Sequence, residues 1–393
     1  MIFEKVTLGE LYTVHNGLSK GSKYFGSGYP FLSFSTVFNN YFIPNELVDL
    51  VQSDAKEQKN YSIFRGDVFV TRTSETSDEL GMSCVALKDY PRATYNGFTK
   101  RMRPIATDRV HPEYIGYYMR MPSFRREFQA FSTMTTRASL KNEDLLSLTI
   151  LLPSMEQQIR IAEVLRTYDK LIENNQQQIK LLEEATQRLY KEWFVDLHFP
   201  GYEDAKIVDG VPEGWKKEKL IDIADVQYGF AFDGSLFNSN GKGTPIVRIR
   251  NIPSGTTSDC TTEEATEQYI VYNGDIVVGM DGEFHINSWS GANAYLVQRT
   301  CKFTPKKDIM RGWLLQAIYS PIKFFEKTVV GATVAHLGKK HIDTIELLTG
   351  PDDLYVPFMD LFSKRQLLLN QNIVLAEARD RLLPKLMSGE LEV

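Results

Sequence analysis

The residues with the best spacing for metal or acid–base chemistry lie late in the chain. Pro351-Asp352-Asp353 resembles the start of a metal-dependent nuclease motif, but no carboxylate-x-lysine run follows it. A plain turn at a domain edge is therefore the better interpretation of this run. His336 and His341 are five residues apart in a lysine-rich loop. A surface position or a phosphate contact fits them better than metal ligation.

Other enzyme motifs are missing from the sequence. It contains no GxxxxGK[ST] phosphate loop, no GxGxxG after a predicted strand and no NPPY-like or DPPY-like run of the kind that amino-methyltransferases use. Cys84, Cys260 and Cys301 are far apart and form no CxxC pair, which favours a reducing cytoplasm. No run of eighteen apolar residues is present, and the N-terminus lacks the layout of a signal peptide. We therefore expect a cytoplasmic, non-catalytic protein.

Charge is distributed unevenly along the chain. The formal net charge of −5 argues at first against a nucleic-acid partner. By segment, however, the charge is +2 for residues 1–150, −4 for 151–205, −1 for 206–350 and −2 for 351–393. Residues 92–126 carry eight basic side chains against two acidic ones. Either a local basic face or a solvated mixed surface would explain this stretch.

The chain also repeats itself. Four stretches of the first half resemble four of the second in the same order: 5–37 and 219–252, 61–73 and 269–281, 112–133 and 311–332, and 135–154 and 333–352. The first pair is an amphipathic stretch, a Gly/Ser/Asn-rich loop and a β-rich run, and the second is a strand, a Gly-Asp turn and another strand. The third is a helix interrupted at Pro122 or Pro321, and the fourth is a polar loop before a short apolar strand. Two units this large indicate a tandem duplication, since solenoid repeats are much shorter.

Each half ends in a long helix. LLEEATQRL (181–189) aligns with VLAEARDRL (374–382) at a constant offset of 193 residues. Ser154 and Gln157 fit a capping box at the start of the first helix. Positions stepping by three and four form a heptad seam in both helices. The seams are Leu165, Tyr168, Ile172, Asn175, Ile179, Leu182, Thr186, Leu189 and Trp193, and Leu361, Arg365, Leu368, Asn372, Leu375, Arg379, Leu382 and Leu386.

The matched seams favour packing of the helices on each other, although a helix packed on its own domain would show a similar stripe. The residues expected to carry this pairing are Leu165, Ile172, Asn175, Ile179, Leu182, Leu189, Leu368, Asn372, Leu375 and Leu382. The two asparagines either fix the register of the pair or face water. The order globular, helix, globular, helix closes most simply with antiparallel helices and a pseudo-two-fold. Thirty paired residues would hold the globular domains about 40 Å apart, a little over one turn of B-DNA at about 34–36 Å.

Three stretches resemble the specificity subunit of Type I restriction-modification enzymes. The run from Leu152 to Asp196, beginning LPSMEQQIRIAEVL, is similar to the central conserved region of that family. RLLPKLMSGELEV (381–393) resembles its C-terminal signature, and VQYGFAFDGSLF (226–237) with TPIVRIRNI (244–252) resembles the opening of its target-recognition domains. The resemblance covers essentially the whole chain. It departs at 349–362, where TGPDDLYVPFMDLF replaces a second LPSMEQQ and puts the second hinge in doubt.

The resemblance implies an α+β fold with two similar α/β target-recognition domains separated by an antiparallel coiled-coil pair of long helices. The boundaries we expect are 1–152 and 201–352 for the recognition domains, and 153–200 and 353–393 for the helical regions. It further implies a DNA-binding subunit in which each domain reads one half of a bipartite double-stranded DNA target. The helices would set the spacer and dock two modification methyltransferase subunits, to which a restriction/translocase subunit is added. S-adenosylmethionine, ATP and Mg²⁺ would belong to those partners.

Reading bases requires basic and amide side chains on loops that reach the major groove, with further contacts to phosphates. Such residues in the first domain are Lys20, Lys23, Arg72, Thr135, Thr136 and Arg137. In the second domain they are Asn240, Lys242, Arg248, Arg250, Asn251, Lys339 and Lys340. The spacing of Arg248 and Arg250 predicts one face of a strand for both. Each of these residues could equally be a solvated surface side chain.

Two alternatives remain open. The chain could be a non-catalytic assembly scaffold whose globular ends bind proteins and whose helices only associate with each other. More remotely, it could be a nuclease that uses the region around Asp352. Salt-sensitive, sequence-dependent DNA binding distinguishes the specificity subunit from the scaffold, and metal-dependent cutting by the isolated chain would favour the nuclease.

Overall fold

The computed structural model describes residues 2–74, 80–130, 138–328 and 335–393. Tertiary contacts divide the chain into two units. Unit 1 comprises residues 1–170 and 376–393, and unit 2 comprises residues 171–375. Each unit contains one mixed α/β domain together with segments of two long helices. No helix in the described ranges is both long and apolar enough to cross a membrane.

The first domain alternates short strands with short helices. Its strands are β1 (Glu4–Thr7), β2 (Tyr12–Asn16), β3 (Phe25–Leu32), β4 (Leu50–Val51), β5 (Val68–Thr71), β6 (Thr73–Ser74), β7 (Ser83–Val85), β8 (Thr94–Tyr95), β9 (Thr99–Pro104), β10 (Ala138–Ser139) and β11 (Thr149–Leu152). Its helices are α1 (Leu8–Leu11), α2 (Phe34–Asn39), α3 (Ala55–Asn60), α4 (Pro112–Tyr118), α5 (Pro122–Ala130) and α6 (Asn142–Ser147). The main sheet has the order β2-β9-β5-β7, and a smaller sheet has the order β4-β3-β8.

The first long helix, α7, spans Met155–Tyr190 and continues as a π-helical turn over Lys191–Val195. The second domain follows. Its strands are β12 (Ile207–Val208), β13 (Val211–Pro212), β14 (Lys216–Lys219), β15 (Ala224–Tyr228), β16 (Phe237–Asn238), β17 (Thr244–Val247), β18 (Cys260–Thr261), β19 (Ile270–Val271), β20 (Ile276–Gly279), β21 (Ile286–Ser288), β22 (Ala294–Leu296), β23 (Thr300–Pro305) and β24 (Glu346–Thr349). Its helices are α8 (Leu220–Ile223), α9 (Arg311–Ala317), α10 (Tyr319–Thr328) and α11 (Lys339–Ile342), and the second long helix, α12, spans Val356–Ser388.

The predicted duplication is confirmed by the sheet topology. The main sheet of the second domain has the order β15-β23-β20-β21, which is the first domain's order element for element. The registers also agree, because Val68 lies opposite Met102 in β5/β9 and Ile276 lies opposite Phe303 in β20/β23. In both domains the strand just before the first short α-helix pairs with the strand that closes the domain, as β1 with β11 and as β14 with β24.

The Gly-Asp turns form as predicted, with a difference in what precedes them. The Asp67 carboxylate accepts from the amide of Phe64 at 2.8 Å, and Asp275 accepts from the amide of Tyr272 at 2.9 Å. A short strand, β19, precedes the turn in the second domain. In the first domain the predicted strand is wrong, because Ile63 makes only a single bridge, to Tyr90. The proline-interrupted helices are confirmed, with breaks just before Pro122 and near Pro321.

Gly17 and Gly229 occupy equivalent positions at the end of β2 and β15. A Cβ atom on Gly17 would lie 2.0 Å from the carbonyl oxygen of Asn96, and one on Gly229 would lie 2.0 Å from that of Val297. The backbone at both positions therefore approaches a neighbouring chain segment more closely than any side chain allows. This requirement explains why the repeat places glycine at both positions.

The two long helices run antiparallel within each unit. In unit 2, Asn175 Nδ2 lies 3.4 Å from Gln371 Oε1, and Arg365 Nε donates to Glu183 Oε1 at 2.7 Å. In unit 1, Leu165 of α7 packs in one hydrophobic cluster with Leu386 of α12. The predicted Ser154 cap is present, because Ser154 Oγ accepts from the amide of Gln157 at 3.3 Å.

Most residues expected to pair the helices are covered to some degree. Leu165, Asn175, Ile179 and Leu368 are buried. Ile172, Leu182, Leu189, Asn372, Leu375 and Leu382 are half-buried. Leu165 and Leu382 also pack on the core of the first domain, and Leu189 packs on that of the second. Asn175 therefore does not face water, but its partner is Gln371 rather than Asn372.

Candidate nucleic-acid interface

Parallel strand pairs bring separate loops to one edge of each domain. β3 and β8 run parallel, as do β17 and β22, so the residues that follow these strands leave the sheet at the same edge. Backbone hydrogen bonds close the edge in both domains, from Asn96 to Leu32 at 3.0 Å and from Val297 to Val247 at 3.2 Å. In the second domain this edge therefore joins Arg248, which follows β17, to residues 297–299, which follow β22.

A second set of backbone bonds adds two more segments to this edge. The amide of Arg72 donates to the carbonyl of Phe98 at 3.0 Å, and the amide of Met280 donates to that of Arg299 at 2.9 Å. The carbonyl of Arg72 in turn accepts a hydrogen bond from the amide of Leu140 at 3.0 Å. In the second domain the carbonyl of Met280 accepts one from the amide of Leu337 at 2.7 Å. We call this junction the reading edge. It comprises residues 72, 98 and 140 with their neighbours in the first domain, and residues 248, 280, 299 and 337 with theirs in the second.

Cationic side chains cluster at the reading edge of the second domain. Arg299 Nη1 lies 3.0 Å from Asp281 Oδ2, and His336 bonds through Nδ1 to the other oxygen of the same carboxylate. Lys339 and Lys340 are exposed at the start of α11, three and four residues after His336. Arg248 lies with its guanidinium carbon 5.5 Å from the ring centre of Phe237. Candidates Arg248, Lys339 and Lys340 therefore occupy one region of the second domain.

The neighbouring histidine has a structural role. His341 Nδ1 accepts a hydrogen bond from the amide of Gly338 at 3.0 Å, and its ring lies 5.2 Å from that of Phe325. Burial lowers the pKa of His341, and the nearby charges of Lys340 and His336 lower it further. A neutral ring is what the hydrogen bond from Gly338 requires. Within the described ranges, no three His, Cys, Asp or Glu side chains come together in a group that could hold a metal ion.

The reading edge of the first domain has a different composition. Phe98 is 54% exposed there, although it is a large apolar side chain. Arg72 is half-buried, and its Nε is covered without a hydrogen-bond partner among the described residues. Lys100 is buried beside it and donates to Asn142 Oδ1. Burial lowers the pKa of Lys100, and the charge of Arg72 lowers it further. Candidates Thr135, Thr136 and Arg137 lie outside the described residues.

The first-domain loop contains one tethered and one exposed lysine. Lys20 Nζ pairs with Glu57 at 2.7 Å and also donates to the carbonyl of Gln52. Lys23 is exposed, with its Nζ 5.1 Å from the ring centre of Tyr24. Nearby, the guanidinium of Arg92 stacks 3.8 Å from the ring centre of Tyr29. The sequence did not single out Arg92 by itself as a candidate, since nothing in its neighbourhood reveals the stacking partner.

The predicted strand face of Arg248 and Arg250 is wrong. β17 ends at Val247, and residues Ile249–Asn251 form a 3-10 turn, so the two arginines do not share a strand. Arg250 Nη2 donates to both carboxylate oxygens of Asp259 at 2.6 and 2.7 Å, and Asn251 caps the amide of Arg248 at 3.0 Å. Burial raises the pKa of Asp259, but the hydrogen bonds from Arg250 and Asn251 outweigh it, so the net pKa is lowered. Arg250 and Asn251 thus hold the turn that presents Arg248.

The remaining candidates of the second domain lie in a surface turn. Asn240 and Lys242 are both exposed. The side chain of Asn238 shapes this turn, because it accepts from the amide of Lys242 at 3.0 Å and donates to its carbonyl at 2.9 Å. Within the described part of the chain, the side chains of Asn240 and Lys242 make no hydrogen bond or ion pair, so both are available to a ligand.

At least half of the eight cations in the basic stretch 92–126 bond within the domain. Arg120 is directed inward and donates to the carbonyls of Ser83, Val37, Phe38 and Asn40 at 2.6 to 2.9 Å. Three others also bond to partners within the domain: Lys100 to Asn142, Arg101 to the carbonyl of Ser62, and Arg103 to Asp67. These four cations are therefore engaged within the domain, and only the remaining ones can belong to a basic face or to a solvated surface.

Asp352 does not lie in an acidic site. Residues Asp352–Tyr355 form a 3-10 turn that leads directly into α12. Lys307 Nζ donates to both oxygens of the Asp352 carboxylate, at 2.7 and 2.9 Å. The predicted turn is therefore confirmed, and the carboxylate is engaged in an ion pair at the start of α12.

Comparison with known proteins agrees with this architecture. The family model for the Type I restriction modification DNA specificity domain matches residues 2–184 and again residues 212–352. The MjaIX specificity subunit of a Type I restriction enzyme from Methanocaldococcus jannaschii is 30% identical over 336 residues, covering 79% of this chain and 75% of that one. The EcoBI specificity subunit of Escherichia coli is 31% identical over 137 residues, covering 34% of this chain and 29% of its own.

A solved structure shares the fold. The S subunit of a Type I restriction-modification system from M. genitalium superposes with a TM-score of 0.55 at 14% identity, and the match covers 98% of this chain and 96% of that one. The family model matches both halves of the duplication, and the sheets of the two halves share one order. The chain therefore belongs to the family of Type I restriction-modification DNA specificity subunits.

Proposed function

We propose that each domain of this specificity subunit reads one half of a bipartite double-stranded DNA target through its reading edge. The observation that carries the proposal is the repeated edge itself, where the same backbone hydrogen bonds join four chain segments in both domains. Arg248, Arg299, Lys339 and Lys340 supply the second edge with the groups that contact base edges and phosphates. The first edge carries Arg72 and Phe98 instead, which fits a target whose halves differ in sequence.

The long helices set the spacer between the half-sites in this proposal. α7 has 36 residues and α12 has 33, and they pack antiparallel on each other within each unit. A helix pair has a fixed rise of about 1.5 Å per residue, so its length is a suitable ruler. The ion pairs Arg365–Glu183 and Arg379–Asp169 define which residues face each other.

The same helices are suited to docking other subunits. Leu171 and Leu181 of α7 and Leu367 and Val374 of α12 are 46 to 65% exposed. Exposed apolar side chains on these helices are available for contact with a protein partner. We propose that two modification methyltransferase subunits bind here and that the restriction/translocase subunit joins them. S-adenosylmethionine, ATP and Mg²⁺ would then act in those partners, since this sequence has none of the motifs that bind them. Cys84, Cys260 and Cys301 are all unpaired thiols, which supports action in the reducing cytoplasm.

The test is DNA binding by the complex of this chain with its methyltransferase. Methylome sequencing of a host carrying the system identifies the modified sequence, and a duplex of that sequence is compared with random duplex. The proposal predicts a preference of at least a thousandfold and a steep loss of affinity between about 50 and 200 mM salt. If no duplex is preferred over random DNA while the complex still assembles, the chain is an assembly scaffold and the proposal fails.

A further inference from the structure

Arg299 has a backbone conformation that arginine rarely adopts. Its φ is +67°, in the left-handed region, where the Cβ of any residue other than glycine crowds the following carbonyl oxygen. The turn that imposes this φ lies between β22 and β23, and the amide of Thr300 closes it on the carbonyl of Val297 at 3.2 Å. Glycine or asparagine would adopt the same turn with less strain. A strained residue of this kind points to a use for its side chain.

The guanidinium of Arg299 is oriented without being covered. Its side chain is 67% exposed, while that of its partner Asp281 is only 19% exposed. His336 bonds to the second oxygen of Asp281, so the carboxylate is fixed from both sides. The carboxylate pairs with Nη1 of Arg299, whereas Nε and Nη2 donate no hydrogen bond within the described ranges. Nε and Nη2 of this exposed guanidinium are therefore available to a ligand, while Asp281 holds Nη1.

The duplication supplies an internal comparison. Arg299 corresponds to Phe98, because the same backbone hydrogen bond joins Phe98 to Arg72 and Arg299 to Met280. Phe98 has no left-handed backbone, whereas Arg299 does. Because Arg72 corresponds to Met280, the next residue of the first domain, Thr73, corresponds to Asp281 of the second. The backbone of the edge is thus shared, while the Arg–Asp pair belongs to the second domain alone.

We propose that Arg299, held by Asp281, reads a guanine in the half-site of the second domain. An arginine fork matches the O6 and N7 acceptors of guanine in the major groove, and this is the commonest specific contact of proteins with DNA. A phosphate contact needs only a positive charge, which the exposed Lys339 and Lys340 already provide nearby. Fixed orientation of the fork is what base reading requires. Asp281 is the positioning residue of the pair. The inference rests on the proposed function and adds the base and the side chain that reads it.

The test uses the complex with methyltransferase and three variants of the full chain. Arg299→Lys keeps the charge but removes the fork, Arg299→Gly removes the side chain and relieves the strain, and Asp281→Asn removes the support. Binding is measured to the mapped duplex and to duplexes in which each base pair of the second half-site is replaced in turn. We expect Arg299→Lys and Arg299→Gly to lose about tenfold to hundredfold discrimination at one G·C pair, with discrimination elsewhere retained. Asp281→Asn should lose part of the discrimination at that same pair.

Lys340→Ala is the matched control, since it removes a nearby charge without touching the Arg–Asp pair. It should weaken binding to all sequences alike and reduce the salt slope by about one. The inference is overturned if Arg299→Lys keeps the wild-type preference at every position, or if Arg299→Gly behaves like Lys340→Ala. A urea midpoint for Arg299→Gly at or above wild type shows that the fold is intact. If the wild-type complex itself prefers no duplex, the proposed function fails instead, and the two failures are distinct.

Discussion

Arg379 of α12 and Asp169 of α7 form a buried ion pair between the two long helices in unit 1, with Nη1 2.6 Å from Oδ1. The other oxygen of Asp169 accepts a hydrogen bond from the Tyr117 hydroxyl of the first domain. Burial raises the pKa of Tyr117, and the Asp169 carboxylate raises it further, so this hydroxyl remains a donor. A single carboxylate therefore joins both helices to the domain.

Removing this ion pair should destabilise unit 1. Arg379→Ala leaves the buried Asp169 carboxylate with only the more distant Arg166, whose Nη1 lies 4.0 Å from Oδ2. Because that contact is too long to replace the lost hydrogen bond, we expect a loss of about 3 kcal/mol. Urea unfolding followed by circular dichroism measures the change. Arg381→Ala is the control, because Arg381 pairs with Glu377 only at the surface, at 3.7 Å, where such pairs contribute less than about 1 kcal/mol. Equal midpoints for the two variants would contradict the role of the buried pair.

The close backbone approach at the end of β2 and β15 should not tolerate a methyl group. Gly17→Ala and Gly229→Ala each place a Cβ 2.0 Å from a carbonyl oxygen, so we expect a loss of about 3 kcal/mol or a failure to fold. Gly21→Ala and Gly234→Ala are matched controls, since no atom lies within 4 Å of the added Cβ. Thermal unfolding of the four variants checks this. A Gly17→Ala protein as stable as Gly21→Ala would show that the segments are further apart than described.

The thiols should be unreactive in the folded chain. Cys84, Cys260 and Cys301 are all buried, and burial raises the pKa of Cys84 to about 12. The thiolate is the reactive form, so at pH 8 only about one Cys84 in ten thousand is reactive even before access is considered. An aromatic disulfide reagent should label none of the thiols quickly in native protein and all of them in guanidinium. Ser22→Cys, in an exposed turn, serves as the reactive control. Rapid labelling of the unmodified native chain would be inconsistent with the described burial.

Lengthening the helix pair should lengthen the spacer. Asn175 faces Gln371 and Glu183 faces Arg365, so a heptad added after Gln178 must be matched by one in α12. Duplicating residues 172–178 and 365–371 keeps the seam and adds about 10 Å of helix, or about three base pairs. Methylome mapping reads the spacer directly. The one-sided insertion is the control and should reduce stability by shifting the register. An unchanged spacer in the two-sided variant would count against the ruler.

Sequence patterns predicted the repeat well because hydrophobic period, glycine and proline act locally. The Gly-Asp turns, the proline breaks and the antiparallel seam follow from such patterns. The partners of Arg250 and Arg120 could not be predicted from such local patterns. Arg250 is held by Asp259 and Arg120 by four backbone carbonyls. Those partners come together only in the folded chain, and a basic side chain in a sequence does not show whether it is already engaged.

The candidate site was harder to predict than the fold for the same reason. Arg248, Lys339 and Lys340 were recognised as basic residues in loops, but Arg299, Asp281 and Phe98 were not. Their importance depends on backbone hydrogen bonds between segments that are distant in sequence. It also depends on the left-handed φ of Arg299, which no local motif predicts. Comparing the two halves after the fold is known reveals these positions, because the same edge carries different side chains.

The most direct test of the account is the methylome of a host whose subunit carries residues 1–152 from another specificity subunit. The account predicts that one half of the modified sequence changes, while the other half and the length of the spacer stay as in the wild type. A change in both halves, or a change in the spacer with the helices left intact, would contradict independent reading by two domains on a shared helical ruler.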